Sequence, residues 1–297
     1  MKRLLSLVAL LCILLTGCSN QTQYAQVAAT TLPVYEFTSR LCQDTPITVT
    51  RLINEDVSCL HDYSLNVRQV RAIEAAQLLV ISGAGLEIFL EDLTVTTPVL
   101  DASAGIPLLC PEPDAQSGHG HDHGHAHEGH SHDSDPHIWL SVPYAMDMAR
   151  NICTGLCAQY PAYAEIFQRN LDNLLSDLQQ LHNYGQEILQ DLSCRDLITF
   201  HDGFGYLALA YDLHILQAVE EESGSEASAR ELIHLIEIVQ HHRLPAIFTE
   251  RSGSVSAASI ISRETGADVH ILDMAMAGDS YFDAMYHNFN TVKEALG

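Results

Sequence analysis

Seven of the fourteen residues from His119 to His132 are histidine: His119, His121, His123, His125, His127, His130 and His132. Neutral imidazole is a good ligand for zinc, copper and nickel and a poor one for magnesium or calcium. A stretch of His, Gly and Asp has too little apolar surface to build a core. It predicts a solvated, mobile loop, residues 115–135, that handles metal. A solubility loop is the weaker reading, because imidazole carries little charge at neutral pH.

Four further residues fall where open α/β sheets bind ligands, beyond the carboxyl ends of strands. His61 stands in Cys59-Leu60-His61-Asp62-Tyr63, a short loop after a strand. His137 stands in Asp135-Pro136-His137-Ile138-Trp139, where the histidine run meets ordered chain. His201 directly follows the apolar run LITF, and Asp279 precedes the last helix in Gly278-Asp279-Ser280. Three imidazoles and one carboxylate could enclose a tetrahedral zinc, and four protein ligands make a closed site, suited to binding more than to hydrolysis. Each residue also has a plainer reading. A single loop histidine is most often exposed and idle, and Asp279 or Asp135 could cap a helix or a turn. Asp62, Asp202 and Glu250 are placed to orient the imidazoles.

The elements that must position these groups alternate. Strands are predicted at 26–32, 47–53, 78–82 and 98–101, with helices at 34–43, 66–76 and 86–93. After the histidine loop come a helix at 141–158 and, opened by Pro161, a long amphipathic helix at 162–191. Strands at 197–200, 214–219, 246–250 and 268–273 then alternate with helices at 204–212, 228–242, 254–265 and 279–296. Apolar residues recur at helical spacing through the long segment, from Ile166 to Leu189. The pattern predicts two α/β lobes, each with a mainly parallel sheet flanked by helices, joined by one long helix. The lobes are expected at 26–158 and 192–297, with the bridge at 159–191.

The chain opens MKRLLSLVALLCILLTGCSN. Two cations and an apolar run of signal-peptide length end at Leu15-Thr16-Gly17-Cys18, which resembles a bacterial lipobox. It implies a signal peptide over 1–17, acylation of Cys18, a tether over 18–25 and a lipid anchor that holds the exported protein to a cell membrane. Removing residues 1–17 takes Lys2 and Arg3 and no acid, so the formal charge goes from −24 to −26. Such a surface argues against nucleic acid as a partner. Cys42, Cys59, Cys110, Cys153, Cys157 and Cys194 remain. An exported chain permits disulfides, and six cysteines allow fifteen pairings among which sequence does not choose. Cys153 and Cys157, four apart on one helix face, read as structural before they read as a soft-metal pair.

The motifs together resemble the metal-binding solute-binding lipoproteins of bacterial ABC importers, the cluster A-I (zinc/manganese) family, over nearly all of residues 26–296. The segments are TLPVYEFTSRL, HDYSL, ISGAGLEIFLEDL, DPHIWLS, FHDGFGYLALAYDL and GDSYFDAMYHNFNTVKEAL, with DPHIWLS and FHDGFGY the most specific. The resemblance implies ligands at His61, His137, His201 and Asp279, an ABC permease and its ATPase subunit as partners, a monomer, and no enzymatic activity. Histidine at position 201, where manganese-type members carry Glu, implies Zn2+ over Mn2+, as does the histidine loop. Leu60 and Ser64-Leu65-Asn66 depart from the family pattern around His61, and a water could complete the shell. The loop would capture zinc at low affinity and pass it to the metal site in the cleft between the lobes. Uptake should weaken on acidification, because metal needs neutral imidazole. One rigid helix is a poor hinge, so lobe movement should be modest.

Other readings compete. Gly203-Phe204-Gly205-Tyr206-Leu207-Ala208 matches a dinucleotide fingerprint, G-x-G-x-x-A after a strand. His201-Asp202 crowd that turn, and an exported chain has little access to such cofactors. A zinc hydrolase would need an open coordination position, and no H-E-x-x-H is present. A manganese-binding protein of the same family, or a surface zinc buffer or adhesin without a transport role, remain as alternatives.

Overall fold

The computed structural model describes residues 26–55, 60, 63–91, 93–109, 134–219, 228–251 and 255–297. The expected signal peptide and tether, Cys18, Cys59, His61, Asp62, Cys110 and the seven loop histidines lie outside the described residues. Two four-stranded sheets form the frame. The first runs β2-β1-β3-β4, from β1 (Val27–Ala29), β2 (Val49–Arg51), β3 (Leu78–Ile81) and β4 (Val99–Asp101). The second runs β6-β5-β7-β8, from β5 (Asp196–Thr199), β6 (His214–Ala218), β7 (Ala246–Glu250) and β8 (Asp268–Leu272). Every pairing is parallel. The inner strands are therefore buried on both faces and read as apolar runs: β1 is buried throughout, as is β7.

The two sheets share one topology. In each, the first strand sends its connection to one side and the third returns on the other, so the strand order reverses between β1 and β3 and again between β5 and β7. No sequence repeat betrays this. The two halves keep only the connectivity, which backbone geometry sets and many apolar sequences satisfy.

Helices α1 (Leu32–Leu41), α2 (Val67–Ala75), α3 (Val142–Gln159), α4 (Ala164–Leu189), α5 (Gly205–Tyr211), α6 (Ala229–His242), α7 (Val255–Thr265) and α8 (Tyr281–Leu296) flank the sheets. Their starts carry local signals. Pro33 sits in the first turn of α1, and capping boxes from Asn66–Gln69 and Ser228–Glu231 open α2 and α6. Pro161 opens a 3-10 turn, Pro161–Tyr163, and α4 begins after it. Its 26 residues extend about 39 Å. One stripe, Phe167, Leu171, Leu174, Leu178, Leu181 and Leu189, is buried. It packs on α1 and α3 of the first lobe and on α5 and α8 of the second.

One expectation changes. The helix expected at 86–93 is only a 3-10 turn, Ile88–Leu90. Gly83, Ala84 and Gly85 all have positive φ, and Glu87 folds back onto the Ser82 and Gly83 amides. Those amides and that side chain are consumed by a tight turn, which leaves no helix start. Beside the α4 bridge, the lobes share an apolar core. A single apolar cluster takes in Phe37 and Trp139 of the first lobe and Met274, Met276 and Tyr281 of the second. A smaller cluster lies between the second sheet, α6 and α7.

Candidate metal centre

His201 lies two residues beyond β5, and Glu250 is the last residue of β7. Both therefore stand at the point where the strand order of the second sheet reverses, the crevice in which open α/β sheets bind ligands. The Glu250 Oε1 lies 3.6 Å from His201 Nδ1, within ion-pair range but longer than a hydrogen bond.

His137 comes from the first lobe. Asp135 Oδ1 accepts from both the His137 amide at 2.9 Å and its Nδ1 at 2.8 Å. Pro136 between them makes a short turn, Ile138–Leu140 continues as a 3-10 turn, and His137 is buried. Trp139, the only tryptophan in the chain, donates from Nε1 to the Met274 carbonyl at 2.7 Å. Its own carbonyl accepts from the Tyr281 hydroxyl at 2.7 Å. These bonds lock the His137 turn to the second lobe.

The two rings meet edge to face, with centroids 5.2 Å apart and planes at 83°. Each has a carboxylate on its Nδ1 side, hydrogen-bonded at 2.8 Å for His137 and in ion-pair range at 3.6 Å for His201, an arrangement that leaves Nε2 as the nitrogen a metal could take. Gly203 makes the approach possible. A Cβ there would lie 2.7 Å from His201 Cδ2, 2.7 Å from Met274 Cε and 2.9 Å from His137 Nδ1. At Gly205 a Cβ would press on Asp135 Oδ2 at 3.1 Å. The glycines that mimic a dinucleotide fingerprint thus have a packing reason: they let the start of α5 close on the 135–137 turn.

Tyr206 completes this junction. Its buried hydroxyl accepts from the Leu109 amide and donates to the Asp135 carbonyl, each at 2.9 Å, while the Asp135 amide reaches the Leu109 carbonyl at 2.8 Å. Leu109 and Asp135 flank the histidine-rich stretch, so its two ends leave the fold beside His137. Asp202 is a further carboxylate at this turn. Partial burial, then the neighbouring Asp135, raise its pKa against the pull of His137.

Asp279 is exposed, on the segment between β8 and α8. The helix cap is Ser280, whose Oγ accepts from the Asp283 amide, so Asp279 is not needed for capping. Of the four expected ligands the structure brings His137 and His201 together. Among the described residues no group of three or more His, Cys, Asp or Glu stands ready to hold a metal, and His61 lies outside them. The donor chemistry of the pair, two imidazoles backed by carboxylates, suits zinc. Sequence reasoning proposed Glu250 but missed Asp135 as the partner of His137. The signal was an Asp two residues ahead of a His, read only as a possible turn cap.

The reversal point of the first sheet is filled. Glu87 is buried there. It accepts from the Thr30 hydroxyl at 2.6 Å, the Ser82 amide at 2.7 Å and the Gly83 amide at 3.0 Å. Burial pushes its carboxyl up to about 7, against those three donors. Among the described residues, the crevice of the second sheet holds the histidine pair. Among the described cysteines, Cys42, Cys153, Cys157 and Cys194 are free thiols.

Residues 27–295 match the family described as zinc-uptake complex component A, periplasmic (ZnuA). The zinc-binding lipoprotein AdcA of Streptococcus pneumoniae strain R6 is 31% identical over 310 residues, covering 99% of this chain and 61% of that protein. The chain thus spans about three fifths of that relative. The high-affinity zinc uptake system protein ZnuA of Bacillus subtilis 168 is 27% identical over 314 residues, 98% of this chain and 97% of that one. The Zn(II)-bound ZnuA-like domain of Streptococcus pneumoniae AdcA has the same fold, with a TM-score of 0.75 and 25% identity over 92% of this chain and 99% of that one. These proteins are metal-binding solute-binding components, not an enzyme family. A match over nearly the whole chain, on a fold whose two lobes converge on a histidine pair, places this protein in the ZnuA family.

Proposed function

We propose that this chain is the extracytoplasmic zinc-binding component of an ABC importer, capturing Zn2+ between its lobes and delivering it to a permease driven by an ATPase subunit. The observation that carries the reading is the His137–His201 pair, one ring from each lobe, at the strand-order reversal of the second sheet. The relatives' names, zinc-binding lipoprotein and zinc uptake protein, support the same cargo.

His61 and Asp279 complete the proposed shell with His137 and His201, and a tetrahedral set of three imidazoles and one carboxylate favours zinc over manganese. The histidines from His119 to His132 collect zinc at low affinity. The ends of their stretch, at Leu109 and Asp135, stand beside the site, so captured ions have a short transfer path. The lipobox ending at Cys18 supports cleavage after residue 17, a lipid anchor on the outer side of a cell membrane and a short tether before the lobes at 26–158 and 192–297. No helix among the described residues is long and apolar enough to cross a membrane. The protein acts as a monomer.

The test is metal competition on a chain whose seven loop histidines are replaced by asparagine. One tight zinc per chain, resistant to excess manganese and lost in His201→Ala, is expected. Manganese preference, or unchanged zinc affinity in His201→Ala, would overturn the assignment. Loss of growth in zinc-poor medium on deletion, restored by zinc, separates import from surface buffering.

A further inference from the structure

The segment between β8 and α8 belongs to the second lobe by sequence but is tied to the first. Trp139 Nε1 holds the Met274 carbonyl at 2.7 Å, and the Leu32 amide holds the Met276 carbonyl at 3.2 Å. Arg51, the last residue of β2, donates from its guanidinium to the Gly278 carbonyl at 2.8 Å. Glu36 of α1 accepts the Tyr281 amide at 2.6 Å, with the Ser280 side chain as a further partner. Residues 278, 280 and 281 are all held, and Asp279 lies between them.

The anchors are themselves set. The Arg51 Nε donates to Asn54 Oδ1 at 3.0 Å, and its guanidinium lies 5.8 Å from the centre of the Tyr35 ring. Glu36 is on the helix that carries Phe37, which packs edge to face on Tyr281 at 5.1 Å. The Gly278 backbone has φ +91, a conformation that favours glycine. The backbone of Asp279 therefore has one placement while its side chain stays exposed. A carboxylate on a backbone already fixed in place needs no loop ordering when it takes up a ligand.

We propose that Arg51 and Glu36 are positioning residues for the zinc centre: they clamp the Gly278–Tyr281 segment onto the first lobe so that Asp279 is preorganised to close the metal's coordination and slow its release. The proposal rests on the zinc reading above. It also assigns this polar latch, beside the shared apolar core, to holding the lobes together at the site.

The test is zinc release into a chelator, followed by Trp139 emission in the chain with its loop histidines replaced. Arg51→Ala should release zinc at least tenfold faster, with a melting temperature within a few degrees of the parent. Arg51→Lys, with one donor in reach, should recover part of that factor. Glu36→Gln, which keeps an acceptor for the Tyr281 amide, should speed release severalfold and serves if Arg51→Ala folds poorly. In an Asp279→Ala background both effects should vanish, because nothing is left to position; a merely structural role would persist there. Unchanged release in Arg51→Ala and Glu36→Gln, or the same factor with and without Asp279, overturns the latch. If zinc still binds tightly and His201→Ala still abolishes it, the latch alone falls. If the parent binds no zinc, the zinc reading falls and the latch with it.

Discussion

Replacing Gly203 with alanine tests the site through a single methyl group. The added Cβ would sit 2.7 Å from His201 Cδ2, 2.7 Å from Met274 Cε and 2.9 Å from His137 Nδ1. Ordinary carbon contacts lie near 3.5 Å, so each neighbour must retreat by roughly 0.7 Å. The Met274 methyl can swing aside on a flexible chain. The rings have less freedom: His137 is held by Asp135, and His201 stands against Glu250 at the end of a buried strand. Gly203 is not among the glycines with positive φ, so the effect is one of packing and not of backbone strain. Zinc–nitrogen bonds of about 2.0–2.1 Å tolerate errors of ~0.2 Å. A retreat several times larger separates the rings beyond what one ion can bridge. Zinc affinity should fall about 100-fold, which is about 2.7 kcal/mol, while overpacking should cost the fold about 1–3 kcal/mol. Chelator competition gives the first quantity and urea denaturation without metal gives the second. Wild-type zinc affinity in Gly203→Ala, or a loss no larger than its unfolded fraction explains, would refute the reasoning.

Further outcomes follow from individual contacts. Glu250→Gln should weaken zinc about 10–100-fold by releasing the His201 ring, with little change in melting temperature; an unchanged dissociation constant would remove Glu250 from the site. Trp139 lies 5.4 Å from the His137 ring, so its emission should change with one equivalent of zinc and not in His201→Ala. A signal that tracks only the histidine loop would contradict this placement. Glu87 titrates at about 7 when folded, against an ordinary value of 4.5. The folded chain then holds the extra proton between those values. The stabilisation is fully present below pH 4.5 and is lost as pH rises through 7, at most about 3 kcal/mol. Urea denaturation at pH 5 and pH 8 should show a smaller loss in Glu87→Gln than in the parent; equal losses would place that proton elsewhere.

Most elements were legible because their signals are local. The run LLVI is a buried strand wherever a parallel sheet needs one, and the apolar stripe of α4 can only be a helix face. Asn66–Gln69 and Ser228–Glu231 mark helix starts within four residues. The segment after β3 misled, because its helical composition gave no sign that Glu87 would turn back to the Ser82 and Gly83 amides. The positions of His201 and Glu250 at strand ends, and of His137 where the histidine run meets ordered chain, were also readable.

What only the tertiary structure decided is proximity. The 5.2 Å between the rings of His137 and His201 depends on two sheets docking across one apolar cluster. So do the bond from Trp139 to Met274, 135 residues apart, and that from Arg51 to Gly278, 227 apart. Gly203 shows the difference within one residue. Its sequence neighbours suggest a phosphate turn, while its spatial neighbours, two imidazoles and a methionine, explain why no larger side chain fits. Sequence determined which residues could bind a metal, because donor chemistry belongs to the residue. Packing decided which of them meet, because distance depends on contacts that no local pattern encodes.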